Sequence, residues 1–62
     1  MTNEDLVIAI KAKLTDRIGI LDKLSEESFR MGENELAGQY AHGRWELQIL
    51  LSIIEDTQKS LA

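Results

Sequence analysis

The chain has 62 residues without cysteine or proline, and eleven acidic residues against seven lysines and arginines give a formal net charge of −4. The lack of cysteine excludes disulfides and thiolate metal sites, and the negative charge disfavours binding to nucleic acid or to a membrane surface. A domain of this length buries only about 60% of the surface that its unfolded chain exposes. Oligomerisation is then the remaining means of stabilising it.

A first helix is predicted over about residues 4–30. Thr2 or Asn3 is suited to cap its N-terminus, and the spacing of Thr2 and Asp5 resembles a capping box. Apolar and small residues then recur at steps of three and four, which indicates one buried stripe. The stripe consists of Val7, Ile10, Leu14, Ile18, Leu21, Ser25 and Ser28, and it is widened on one side by Leu6, Ile20, Leu24 and Met31.

A turn is predicted over about residues 31–34, where Gly32 is suited to end the first helix and Asn34 to cap the second. The second helix, over about residues 35–61, carries a main stripe of Leu36, Tyr40, Gly43, Leu47, Leu50, Ile54 and Leu61. A connection this short makes the helices antiparallel neighbours. The sequence therefore predicts one all-α domain, a two-helix hairpin. Its predicted core is Val7, Ile10, Leu14, Ile18, Leu21, Leu36, Leu47, Leu50 and Ile54.

The second helix also carries apolar residues on the side opposite its main stripe. Trp45, Ile49 and Ile53 share that side with Gly38 and His42. One partner helix cannot cover both stripes, and a large uncovered apolar patch favours association. A second copy of the chain is the simplest cover, which predicts a homodimeric four-helix bundle with two-fold symmetry.

Such a dimer of hairpins resembles the Rop family in topology, although no motif of that family is matched. The resemblance implies RNA binding through basic residues on the bundle face. The cations that this function would use are scattered among acids, and RNA binding is therefore only the weaker alternative. They are Lys11, Lys13, Lys23 and Arg44.

Three glycines fall inside the predicted helices, namely Gly19, Gly38 and Gly43. Each costs roughly 0.5–1 kcal/mol relative to alanine, so each needs a reason. Close packing of another helix at Gly43 is the favoured explanation, and a ligand pocket is the alternative.

The candidate interaction residues are Tyr40, His42, Trp45, Ile49 and Ile53. Tyrosine and tryptophan are enriched in interface hot spots, and Tyr40 and Trp45 are interpreted as residues of the core or of a dimer interface. The alternative is that His42, Trp45, Ile49 and Ile53 form a docking face for a different protein. Catalysis by His42 with Glu46 is the least favoured interpretation, because the stripe offers no nucleophile nearer than Ser52. Arg17, at the edge of the first apolar stripe, is suited either to extend its charged end to solvent or to pair across a dimer interface.

An acidic tip surrounds the turn, formed by Glu26, Glu27, Glu33 and Glu35. A solvated tip that keeps the protein soluble is the favoured interpretation, and an acidic prong that imitates nucleic acid is the alternative. No catalytic, metal or cofactor site is predicted, since no known loop pattern for calcium or phosphate is present.

These features predict a non-enzymatic regulator or inhibitor of a partner protein, of the kind found among short bacterial or phage genes. The alternative is an obligate small subunit or adaptor of a larger complex. The acidic N-terminus lacks the pattern of an export signal, and the longest nearly apolar run, residues 49–54, is too short to span a bilayer. A cytoplasmic location without membrane attachment is expected.

Overall fold

The computed structural model describes residues 2–61, which form two α-helices of 28 residues each, α1 (Asn3–Arg30) and α2 (Asn34–Leu61). The helices pack side by side and run antiparallel. Lys11, early in α1, contacts Gln58, late in α2, whereas Ser25 contacts Ala37 beside the turn. The predicted all-α hairpin is confirmed, and each helix begins one residue earlier than expected.

A reciprocal capping box begins α1. The Thr2 hydroxyl accepts a hydrogen bond from the Asp5 N–H at 3.1 Å, and the Thr2 N–H donates to the Asp5 carboxylate at 3.3 Å. Two N–H groups at the helix end are thereby satisfied. Acidic residues in the first turn also favour the positive end of the helix dipole.

The turn between the helices depends on Gly32, whose φ of 81° lies in the left-handed region. The Glu33 N–H donates to the Ser28 carbonyl at 2.9 Å, and the Gly32 N–H donates to the Phe29 carbonyl at 3.1 Å. This pair of bonds is a Schellman motif, which satisfies the last carbonyls of α1. The Glu33 carbonyl already accepts from the Ala37 N–H, so Asn34 lies in the first turn of α2 and does not cap it from outside.

The two helices meet along one stripe each, here called the seam. In α1 the seam consists of Val7, Lys11, Leu14, Ile18, Leu21, Ser25 and Ser28, all buried or half-buried. In α2 it consists of Ala37, Tyr40, Arg44, Leu47, Leu51, Ile54 and Gln58, all buried or half-buried. Both sets alternate steps of three and four without interruption, which is the heptad pattern of coiled-coil packing.

Three residues of the predicted core lie outside the seam, namely Ile10, Leu36 and Leu50. Ile10 and Leu50 are 42% and 44% exposed, and the seam positions beside them are taken by Lys11 and Leu51. An unbroken heptad steps by four from Val7 and from Leu47, so it passes over Ile10 and Leu50. Ile10 was predicted for the core because it is more apolar than Lys11, and that choice interrupts the heptad repeat. The other predicted core residues are half-buried.

The hairpin is a single layer of helices. Its Cα atoms span 45 × 20 × 10 Å, and among residues 2–61 only Ala37 and Ser28 are buried, with no side chain fully buried. Globular domains normally enclose their core between two packed layers. The accessible surface is 4967 Å², whereas a compact monomer of this mass exposes about 4,000 Å². The hairpin thus exposes roughly 900 Å² more than a compact chain of equal mass.

The helix-interior glycines are not required by contacts within the hairpin. A Cβ built at Gly19 or Gly38 would meet nothing within 4 Å, and one at Gly43 would lie 3.6 Å from Leu21 Cδ1, an ordinary van der Waals distance. Contact with Leu21 of α1 therefore does not require glycine at position 43, and close packing of another helix there stays a prediction.

Replacing glycine by alanine should have opposite effects at Gly32 and Gly19. Gly32→Ala forces a side chain into the left-handed region and should lower the free energy of unfolding by about 1–2 kcal/mol. Gly19→Ala, in open space on a regular helix, should raise that free energy by roughly 0.5–1 kcal/mol. Urea unfolding followed by circular dichroism, at one fixed chain concentration, measures both values. Equal effects of the two substitutions would contradict the role assigned to Gly32.

Candidate interaction surface

Polar side chains occupy part of the seam. The Arg44 guanidinium forms an ion pair with Asp22, and the Lys11 Nζ donates to the Gln58 Oε1 at 3.2 Å. Arg44 Nε is buried and has no hydrogen-bond partner among the described residues. The Arg44–Asp22 and Lys11–Gln58 contacts were not predicted from the sequence, because the residues between the helices were predicted mainly from the spacing of apolar side chains. The strict heptad would have placed Lys11, Arg44 and Gln58 between the helices.

One broad face of the hairpin, beside the seam, is apolar. Ile10 directly precedes the seam residue Lys11, and Leu50 directly precedes the seam residue Leu51. Because corresponding flanks of two antiparallel heptads adjoin, Ile10 and Leu50 lie on the same side of the hairpin. We call it the apolar face, and its large side chains are 42–74% exposed. They are Leu6, Ile10, Ile20, Met31, Leu50 and Ile53. The half-buried Leu24 and Leu36 adjoin them at the seam, so the exposed apolar surface extends along both helices.

The opposite broad face, here called the polar face, carries the Asp22–Arg44 ion pair. A groove of about 600 Å³ near the turn is lined there by both of these residues together with Phe29 and Gly38. Ile8 and Phe29 are the exposed large apolar residues of this face. They lie about 21 residues apart in α1, roughly 30 Å along the helix axis, so they do not form one patch.

The side of α2 turned away from α1, here called the back of α2, carries His42, Trp45 and Ile49. The rings of His42 and Trp45 stack with centroids 6.0 Å apart and planes inclined by 27°. His42 Nε2 lies 3.0 Å from Glu46 Oε1. Trp45 is 56% exposed and Ile49 is 40% exposed. The back of α2 therefore presents an ordered aromatic pair to its surroundings.

The five predicted interaction residues do not form one site. Tyr40 is half-buried in the seam, whereas Ile53 is exposed between the back of α2 and the apolar face. Only His42, Trp45 and Ile49 lie together on the back of α2. The periodicity of one helix did not separate these positions, because the orientation of α2 about its axis depends on which residues contact α1.

The four glutamates of the predicted acidic tip, Glu26, Glu27, Glu33 and Glu35, are all exposed around the turn. Glu26 forms an ion pair with Arg30 at 3.7 Å. Both side chains are largely exposed, and such surface pairs contribute little to stability.

Residues 2–61 contain no group of three or more histidine, cysteine or acidic side chains placed to hold a metal ion. The His42–Glu46 pair is the one histidine–carboxylate contact in this part of the chain. Ser52 lies ten residues after His42, about 15 Å along the helix axis, too far to act as a nucleophile beside it.

Comparison of the chain with protein-family models, curated proteins and solved structures finds no significant match. In the range that the structure describes, neither helix has a stretch long and apolar enough to cross a membrane.

The Arg44–Asp22 pair should contribute less to stability than an apolar seam residue would. Arg44→Met removes the buried Nε that has no partner, keeps a long side chain in the seam, and should raise the free energy of unfolding by about 1 kcal/mol. Asp22→Ala leaves Arg44 without its partner and should lower that free energy by roughly 0.5–1 kcal/mol. Urea unfolding of both variants and of the wild type gives the comparison, and an Arg44→Met variant less stable than the wild type would contradict the prediction.

Proposed function

We propose that this chain is a non-enzymatic protein–protein interaction module. In this proposal two copies associate through the apolar face to form a four-helix bundle, and the dimer regulates or inhibits another protein. The observation that carries the proposal is the apolar face itself, which lies on a hairpin without a fully buried side chain.

The size of the uncovered surface supports a second copy as the partner. The excess over a compact chain is roughly 900 Å², and a stable protein interface buries about 800 Å² on each partner. Pairing two single-layer hairpins also produces the two-layer arrangement in which helices normally enclose a core. The whole hairpin thus exposes an excess of surface about equal to the area that each chain buries in a stable dimer.

The back of α2 supports a further protein as the target of the dimer. His42, Trp45 and Ile49 point away from α1 and lie outside the apolar face, so dimerisation leaves them accessible. A tryptophan held by a stacked ring is a residue type that contributes much binding energy in interfaces. The proposal includes a cytoplasmic location for this protein, which the absence of cysteine from the chain supports. It also includes a regulatory role in a bacterium or a phage.

An obligate subunit of a larger complex is the second candidate. Ile53 lies between the apolar face and the back of α2, so a larger protein could cover both surfaces together. The chain would then aggregate or lose helicity alone and recover with its partner. RNA binding has less support, since two of its four candidate cations, Lys11 and Arg44, are engaged between the helices.

Association should depend on the apolar face and not on exposed isoleucines in general. Light scattering after size exclusion, at micromolar concentration, should give twice the chain mass of 7.0 kDa. Leu50→Asp introduces a charge into the proposed interface and should yield monomers. Ile8→Asp is the matched control, because Ile8 is also exposed but lies on the polar face. A folded wild-type monomer, or equal effects of both substitutions, would contradict dimerisation through the apolar face.

Binding to a target protein should depend on Trp45. Trp45→Ala removes a large exposed side chain from the back of α2 and should weaken binding to a target about tenfold or more. The variant should keep the dimer mass and the helicity of the parent chain. Quenching of Trp45 fluorescence by acrylamide gives an independent test, because the indole should stay accessible in the dimer. Loss of the dimer in Trp45→Ala would contradict the separation of the two surfaces.

A further inference from the structure

Arg17 is a cation in the middle of the apolar face. It directly precedes the seam residue Ile18, as Ile10 precedes Lys11, and it is exposed. None of the ion pairs formed by residues 2–61 includes it. A charge at the centre of an interface is costly unless an opposite charge meets it there. Whatever covers the apolar face must therefore supply an acid near Arg17.

The chain carries a suitable acid on its other helix. Glu46 lies in α2 at the outer edge of the apolar face, where its side chain is largely exposed and contacts His42 Nε2 at 3.0 Å. Arg44 contacts Asp22, so these two residues lie at the same height along the helix axes. Because the helices are antiparallel, Glu46, two residues after Arg44, lies at the height of Ile20, which is three residues from Arg17. That offset is about 4.5 Å along the helix axis. Arg17 on α1 and Glu46 on α2 are therefore at nearly the same height along the apolar face, whose outer edge on α1 also carries Lys13 and Glu27.

We propose that the two copies stack with α1 of each over α2 of the other and with both turns at the same end. Arg17 of each chain then pairs with Glu46 of the second copy. This arrangement rests on the proposed homodimer and specifies its geometry. The two-fold axis runs parallel to the helices, so each residue has the same height along the bundle in both copies. Arg17 of one copy therefore lies about one helical turn from Glu46 of the other.

The other two-fold arrangement places α1 over α1 and the turns at opposite ends. Since Arg17 lies near the middle of α1, its guanidinium would then approach Arg17 of the second copy. Two like charges repel strongly in an interface that excludes water. The charge distribution therefore favours turns at the same end.

The same arrangement gives a place to Gly43, which the hairpin alone does not require. Gly43 lies on the apolar face because it directly precedes the seam residue Arg44. Its height along the helix axes is that of Lys23, the residue before Leu24. With α1 over α2 of the second copy, Leu24 of one chain meets Gly43 of the other. The space above Gly43 then receives a leucine side chain.

Charge reversal tests the pairing. Arg17→Glu and Glu46→Arg should each raise the dimer Kd about tenfold or more, measured by sedimentation of purified chains. An equimolar mixture of the two variants should form heterodimers near the wild-type Kd, because both cross pairs are then restored. Glu27→Arg, a reversal at the corresponding outer position of α1, is the matched control and should not weaken the dimer. A Glu46→Arg variant that dimerises as well as the wild type would overturn the pairing.

A distance between the turns tests the orientation independently of the charges. The chain has no cysteine, so Glu33→Cys gives one spin-label site on each turn. Labels at the same end should lie within about 25 Å, since packed helices are 8–10 Å apart. Turns at opposite ends would give a distance close to the 45 Å length of the hairpin. A wild-type monomer would overturn the homodimer and this inference with it, whereas a dimer with the long distance would overturn only the arrangement.

Discussion

The contact between α1 and α2 is a narrow heptad stripe, in which several small or polar residues lie among valine, leucine and isoleucine. Ser25, Ser28 and Ala37 bring the helices together near the turn, while Lys11 and Arg44 occupy seam positions farther along. Because each helix contributes only this stripe, the remaining isoleucines and leucines are left on the flanks. The composition of the seam thus accounts for the apolar face beside it.

The thickness of the molecule adds to this effect. A single layer of two helices has solvent on both broad faces, so each seam side chain is covered only by residues of its own helix and of the other helix. The two faces differ in charge and in apolar area. The polar face carries the Asp22–Arg44 pair, and the apolar face carries Arg17 among isoleucines and leucines. In the proposed dimer, that asymmetry would favour association through the apolar face and would leave the back of α2 available to a different protein.

The helices, the turn and the capping box could be predicted from the sequence, because each depends on local signals such as Thr2, Asp5 and Gly32. The orientation of each helix about its axis could not. Ile10 and Lys11 are neighbours in sequence, and choosing between them for the seam required the partner helix. For the same reason, Tyr40 and Trp45 were predicted to belong to one interaction site, although Tyr40 is half-buried and Trp45 is exposed. The homodimer and the interaction residues remain proposals.

The proposed homodimer would link the folding of the hairpin to its abundance, because residues 2–61 contain no fully buried side chain. If the core is completed only between two chains, folding and association form one equilibrium, and stability depends on protomer concentration. At low expression most chains would be unfolded and open to proteolysis, and above a threshold the folded dimer would accumulate steeply. A regulator of this construction would respond to its own rate of synthesis, with no ligand needed to switch it on.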